Sequence, residues 1–209
     1  MRPEVAKYQP QIDVLIGFAE GRLDVPALDT GLGTREMRSL LKVFMDRRDI
    51  VRPDYLQRLL EEDRDELRGL VNIEGTVEEF LEVAEVPCRA AQRYGTAFSL
   101  FLAAVPRFVD PPLEFVTERI ISFETILDGT MSPNAKKKLI RERIKEQFRY
   151  VDKPPRWVQD PDWPIQDGKP LLFVGQIPID ASELFHDRGA AYVFYNPDKG
   201  CFETVAQFC

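Results

Sequence analysis

The chain has 209 residues, 44% hydrophobic and 30% charged, the balance of an ordinary globular protein, which excludes disordered and fibrous classes. At this length folding buries about 70% of the unfolded surface, so a core forms without staples. With 35 acidic and 28 basic residues the net charge is −7, which disfavours nucleic acid and suits a cationic protein partner or a solvated surface.

The three cysteines, Cys88, Cys201 and Cys209, have neither CxxC spacing nor an even count. That argues against a disulfide framework and a zinc site. Met1 to Pro10 carries no apolar signal core. No run approaches the roughly 18 apolar residues of a membrane span. The expected compartment is the cytoplasm, with no membrane association.

The first half reads as helical. Ile12, Leu15, Ile16 and Ala19 share one face, and Gly21 interrupts the pattern. Val25 to Asp29 opens a short helix with Pro26 in its first turn. Thr34 is placed to cap a helix whose apolar stripe is Met37, Leu40, Leu41, Phe44 and Met45. A further helix near Pro53 carries Leu56, Leu59 and Leu60, and the mixed charges of residues 61–66 read as a solvated face or a turn. Thr76 and Glu79 have capping-box spacing, which predicts a helix start there. Ala90 to Val105 predicts a largely buried helix, and Leu113 to Leu127 another. Ser132-Pro133 reads as N-cap and first helical position. The helix they open repeats Ile140, Ile144 and Phe148, with Lys136, Lys137, Lys138, Arg141, Arg143 and Lys145 opposite.

At Tyr150 the character changes. Residues 152–170 hold five prolines and both tryptophans, a composition that excludes a helix and disfavours a central strand. Three strand candidates follow. Leu171 to Ile179 reads as a buried strand, and Ala190 to Tyr195 is short and aromatic. Asn196-Pro197-Asp198-Lys199-Gly200 is a turn sequence leading into Cys201 to Phe208.

Candidate chemistry is sparse. His186 is the only histidine; beside Asp187 it forms at most a His–carboxylate pair, and a hydrogen-bonding role is the simpler expectation. The cysteines are expected to be buried packing groups, and Cys201 and Cys209 lie too far apart along a strand to bond. Asp160, Asp162 and Asp167-Gly168 lack the spacing of a calcium loop, so no metal is expected. Gly31-Leu32-Gly33 follows no strand, so no nucleotide cofactor is expected either. In the Pro/Trp segment, Arg156, Trp157 and Trp163 are residue types favoured at interface centres. With Tyr192 and Tyr195 of the aromatic strand they form the candidate binding set. The other expectation for the tryptophans is a plug between subdomains.

Pro154-Pro155-Arg156-Trp157, then Leu171-Leu172-Phe173-Val174-Gly175-Gln176-Ile177, then Tyr192-Val193-Phe194-Tyr195, resemble the strand grammar of YwqG-like bacterial proteins. Phe18-Ala19-Glu20-Gly21-Arg22-Leu23 resembles the opening helix of small bacterial immunity-type proteins. The two resemblances imply a bacterial toxin–immunity setting and a binding role, with no catalytic residue to carry over.

The expected fold class is α+β: an N-terminal helical bundle of six to eight helices over residues 1–150, then a Pro/Trp connector and small antiparallel β-sheet over 151–209 packed on the helices. The expected function is that of a non-catalytic binding protein, an immunity protein occluding a toxin partner. The alternatives are an enzyme with a site assembled from scattered residues and a homo-oligomerising structural or regulatory module.

Overall fold

A computed structural model describes residues 1–181 and 187–209; His186 lies outside the described residues. The fold is α+β, with nine α-helices among the described residues, a two-stranded hairpin and a three-stranded antiparallel sheet. None of the described helices is long and apolar enough to cross a membrane. The chain forms two compact units, Met1–Ser99 and Leu100–Cys209.

In the first unit a 3-10 turn, Ala6–Tyr8, leads into α1 (Gln9–Ala19), α2 (Val25–Leu32), α3 (Arg35–Leu41), α4 (Tyr55–Glu61) and α5 (Leu67–Val83). The caps follow local chemistry. Asp24 accepts from the Ala27 amide at 3.0 Å, Thr34 from Met37 at 3.2 Å, and Asp54 from Gln57 at 3.0 Å. Helix α3 stops at Leu41, yet Phe44 is still buried and meets Phe80 at 5.6 Å. Residues 62–66 form the turn before α5, where Arg64 reaches back to Asp29 at 3.0 Å and to the Leu59 carbonyl at 2.7 Å.

The capping-box expectation at Thr76 is corrected. Thr76 is buried in the interior of α5, which begins at Leu67. The stripe Leu67, Leu70, Ile73, Val77, Phe80 and Leu81 is continuous at helical spacing and buried, so its packing overrides the local start signal. Glu79 has other partners: it accepts from the Arg58 guanidinium at 2.8 Å and from the Tyr55 hydroxyl at 3.3 Å. Helix α6 (Arg93–Ala104) contains the boundary between the units. Its first amides, Tyr94 and Gly95, donate to the buried Glu74 carboxylate at 3.3 and 2.9 Å.

The second unit carries α7 (Leu113–Arg119), α8 (Phe123–Leu127) and α9 (Pro133–Gln147). The single helix expected over 113–127 is broken at residues 120–122. Ser122 is extended and its carbonyl accepts from Thr125, which starts a new turn. That break raises the helix count above the expected range. Ser132 caps α9 by accepting from Ala135 at 3.3 Å, and Ile140, Ile144 and Phe148 are fully buried. Its basic face is partly tied down: Lys136 donates to the Ile126 carbonyl at 2.6 Å and Arg141 to the Ala104 carbonyl at 3.3 Å.

The strands are β1 (Ile165–Gln166), β2 (Lys169–Pro170), β3 (Leu172–Ile179), β4 (Gly189–Asn196) and β5 (Cys201–Phe208). Asp167 and Gly168, both at positive φ (51° and 71°), close the β1–β2 hairpin, as a two-residue primed turn demands. The second sheet has the order β3-β4-β5, with β4 central. In the β4–β5 turn, Asn196 accepts from the Asp198 and Lys199 amides at 2.9 and 3.1 Å.

Alternation along β4 decides the two faces. Ala190, Tyr192, Phe194 and Asn196 are buried. By register they share the inner face with Phe173 of β3 and with Glu203, Val205 and Gln207 of β5. The outer face is built of cross-strand rows: Leu172–Tyr195–Phe202, then Gly175–Val193–Thr204, then Ile177–Ala191–Ala206. The strand Leu171 to Ile179, expected to be buried, is therefore covered on one side only, and Ile177 is 60% exposed. Strand β3 is bulged between Phe173 and Gly175.

Candidate binding groove

Residues 150–164 leave α9, touch β3 and continue along the inner face of the sheet. Tyr150 bridges to Phe173, and the Val151 amide donates to the Phe173 carbonyl at 3.0 Å. The prolines leave this segment few amides of its own to pair, so the sheet's side chains hold it. The Gln176 side-chain oxygen accepts from the Arg156 amide at 2.7 Å. The Tyr192 hydroxyl donates to the Arg156 carbonyl at 2.9 Å and accepts from the Val158 amide at 2.7 Å. Gln207, buried on β5, accepts from the Val158 and Gln159 amides at 3.1 and 3.0 Å and donates to the Asp160 carbonyl at 2.8 Å. Burial raises the Tyr192 phenol above its ordinary value, against a smaller opposite pull from the Val158 amide.

The two tryptophans have different fates. Trp163 is buried at the centre of an aromatic cluster, with Phe148 and Phe194 each at 5.5 Å and Phe108 and Phe173 each at 6.1 Å. Its indole nitrogen donates to the Leu171 carbonyl at 2.9 Å. Trp157 is half-buried. Its ring lies 4.3 Å from Tyr192, and its indole nitrogen donates to the Phe108 carbonyl at 2.8 Å.

Beside Trp157 lies an open groove of about 320 Å³, lined by Arg107, Phe108, Pro155, Arg156, Trp157, Gln159 and Pro161. On the other side of Arg156 a second depression of about 360 Å³ runs along Lys153, Pro154 and the β3 bulge. Arg107 and Arg156 are exposed, and among the described residues neither guanidinium has an acceptor or a carboxylate partner. The groove therefore joins a rigid aromatic floor to two unpaired cations on a chain whose net charge is −7.

Of the five sequence-derived candidates, Arg156 and Trp157 line this groove. Tyr192 supports it from below while being fully buried, and Trp163 belongs to the core. Tyr195 lies on the outer sheet face, 5.1 Å from Phe202, and does not join the others. Sequence reasoning missed Arg107, Gln159 and Gln207. Arg107 follows α6, about fifty residues away along the chain, and no local pattern marks it.

The remaining candidates are dispersed. Asp167 holds the hairpin turn and pairs with Lys199 at 2.9 Å. Among the described residues no group of three or more His, Cys, Asp or Glu is placed to hold a metal ion. The expectation of buried cysteines is corrected: Cys201 and Cys209 are exposed and only Cys88 is partly covered, because Cys201 sits at the open hairpin end and Cys209 follows the last strand. Burial, then the Glu78 and Glu20 carboxylates, raise the Cys88 thiol, which keeps it protonated and a poor nucleophile.

Compared with known families, curated proteins and solved structures, the chain matches none.

Proposed function

We propose that this protein works by recognising another protein, whose acidic, extended segment docks in the groove between Arg107 and Arg156 over the Trp157 ring. The single observation that carries the reading is the pair of unpaired guanidinium groups flanking a braced tryptophan. Arginine forks match carboxylates in a bidentate way. Arg and Trp are also the side chains that most often dominate binding energy. The groove is preorganised, since Tyr192, Gln207 and Gln176 hold its backbone through hydrogen bonds, and preorganisation lowers the entropic cost of docking. In the form implied by the resemblance at residues 18–23, the partner is a bacterial toxin and docking occludes it.

A photo-crosslinking residue at Gln159, on the groove rim, tests this in the native host. The expected result is one stoichiometric adduct that disappears when Arg107→Glu and Arg156→Glu are combined. An adduct pattern identical to that from a probe at the exposed Glu118 removes the proposal.

A further inference from the structure

Helix α3 of the first unit turns one side to the core and the other to water. Met37, Leu40 and Leu41 are fully buried. Positions 35, 38, 39 and 42 fall opposite them, within an arc of about 100° of the helix surface. They carry Arg35, Arg38, Ser39 and, at the C-cap, Lys42, all exposed. With Gly33 these residues line an open depression of about 390 Å³. Every ionised side chain of that lining is a cation, in a chain whose net charge is −7. Among the described residues, Arg35, Arg38 and Lys42 have no carboxylate partner. Glu36, the one carboxylate of α3, stands to the side of this arc.

Two of the groups are fixed by local hydrogen bonds. Arg38 Nε donates to the Leu32 carbonyl at the end of α2 at 2.9 Å. That bond pins the guanidinium at the depression and leaves its terminal nitrogens without an acceptor among the described residues. Ser39 Oγ donates to the Arg35 carbonyl at 2.9 Å, so the fourth position of the face brings no counterion.

We infer that this face takes the phosphate group of a phosphorylated serine or threonine on a protein partner. Charge, geometry and depth select that occupant. A phosphate monoester carries about −1.5 to −2 charges at neutral pH and three acceptor oxygens, which suits a cluster of cations better than the single charge of a carboxylate. Arginine forks bind it bidentately, and lysine adds a point charge. The walls are exposed side chains, so the depression covers too little of a free small molecule, of which a binding cavity encloses about 70–90%. A group presented on a larger chain needs only its tip held, as in other phosphate-reading arginine clusters. Gly33 has no side chain and leaves room for a peptide backbone beside the cations. An anionic membrane calls for about four to eight clustered cations. Nucleic acid calls for a track of phosphate contacts on a chain not opposed by net negative charge. One helix of seven residues, about 10 Å long, offers neither.

Proton–nitrogen correlation spectra of the full chain, titrated with N-acetyl-phosphoserine N-methylamide, test this. The expected result is a set of saturable shifts at Gly33 and residues 35–42, at roughly millimolar affinity because exposed ion pairs are weak, and diminished by added salt. N-acetyl-aspartate N-methylamide is expected to bind about tenfold more weakly, and inorganic phosphate more weakly than the blocked phosphoserine. Arg35→Ala combined with Lys42→Ala removes side chains that make no bond among the described residues, and is expected to weaken binding about tenfold. Arg38→Lys keeps the charge, loses the fork, and is expected to weaken it about threefold. The inference is overturned by an absence of saturable shifts at 33–42, by an equal response to the aspartate compound, or by shifts that persist in the double variant while the rest of its spectrum is native. Inorganic phosphate bound as tightly as the blocked phosphoserine would assign the face to the free ion and remove the protein partner. Phosphatidylserine vesicles that capture the parent chain but not the double variant would remove it in favour of a lipid surface. The groove proposal stands on Arg107 and Arg156 of the other unit, so the failure of either leaves the other intact.

Discussion

The Tyr192 hydroxyl donates to the Arg156 carbonyl at 2.9 Å and sits on the inner face of the central strand, while the Arg156 side chain faces water. One buried oxygen thus links the core of the sheet to the surface that carries the proposed groove.

Replacing Tyr192 by Phe keeps the tilted ring contact with Trp157 and removes that link. The Val158 amide retains Gln207 as an acceptor, but the Arg156 carbonyl loses the donor. Urea denaturation is expected to give a loss of about 1–2 kcal/mol, the usual result of orphaning one part-buried polar group. Retention of full stability would mean that water replaces the phenol without cost.

Gln207→Leu removes more. It deprives the Gln159 amide and the Asp160 carbonyl of their partner, while the Val158 amide keeps the Tyr192 hydroxyl at 2.7 Å. The expected loss is about 2–3 kcal/mol. Amide hydrogen exchange at Val158 and Gln159 is expected to rise before any global change, because local opening there exposes little apolar surface.

Helix α5 contains two glycines with opposite expected responses. A Cβ on Gly69 would lie 1.9 Å from the Asp63 carbonyl oxygen, a backbone atom, whereas one on Gly75 meets nothing within 4 Å. Gly69→Ala is expected to destabilise by about 2–4 kcal/mol through overpacking against backbone. Gly75→Ala, in the exposed interior of the same helix, is expected to stabilise by about 0.5–1 kcal/mol. Thermal melts of the two variants decide both, and equal effects would contradict the packing described for residues 63–69.

Burial pushes the Tyr55 phenol up to about 12, reinforced by the Glu79 carboxylate that accepts its proton and opposed by Arg58. The folded value lies above the ordinary one of 10.0, so the folded state holds its proton longer than the unfolded chain. Its contribution to stability is complete below about pH 10 and is lost as pH rises through about 12. Melting temperature measured across that window is expected to fall less steeply for Tyr55→Phe than for the parent. An identical slope would assign the alkaline transition to the other raised tyrosines, Tyr94 and Tyr192.

What the sequence by itself determined is what depends on neighbours a few residues apart. Thr34 and Ser132 cap amides three positions on, the Asn196–Gly200 turn closes on its own side chain, and the stripe of α9 follows from helical spacing. The α+β class follows from those same local signals. Tertiary structure alone decided which tryptophan is core and which is surface, because Trp157 and Trp163 occupy similar local contexts. Their burial depends on Phe108, Phe148 and Phe194, which arrive from other elements. It also decided that Gln207 is buried and bonded to residues nearly fifty positions away, and that Arg107 stands near Arg156. Such pairings are selected by burial free energy summed over the whole unit, and no short window of sequence contains that sum.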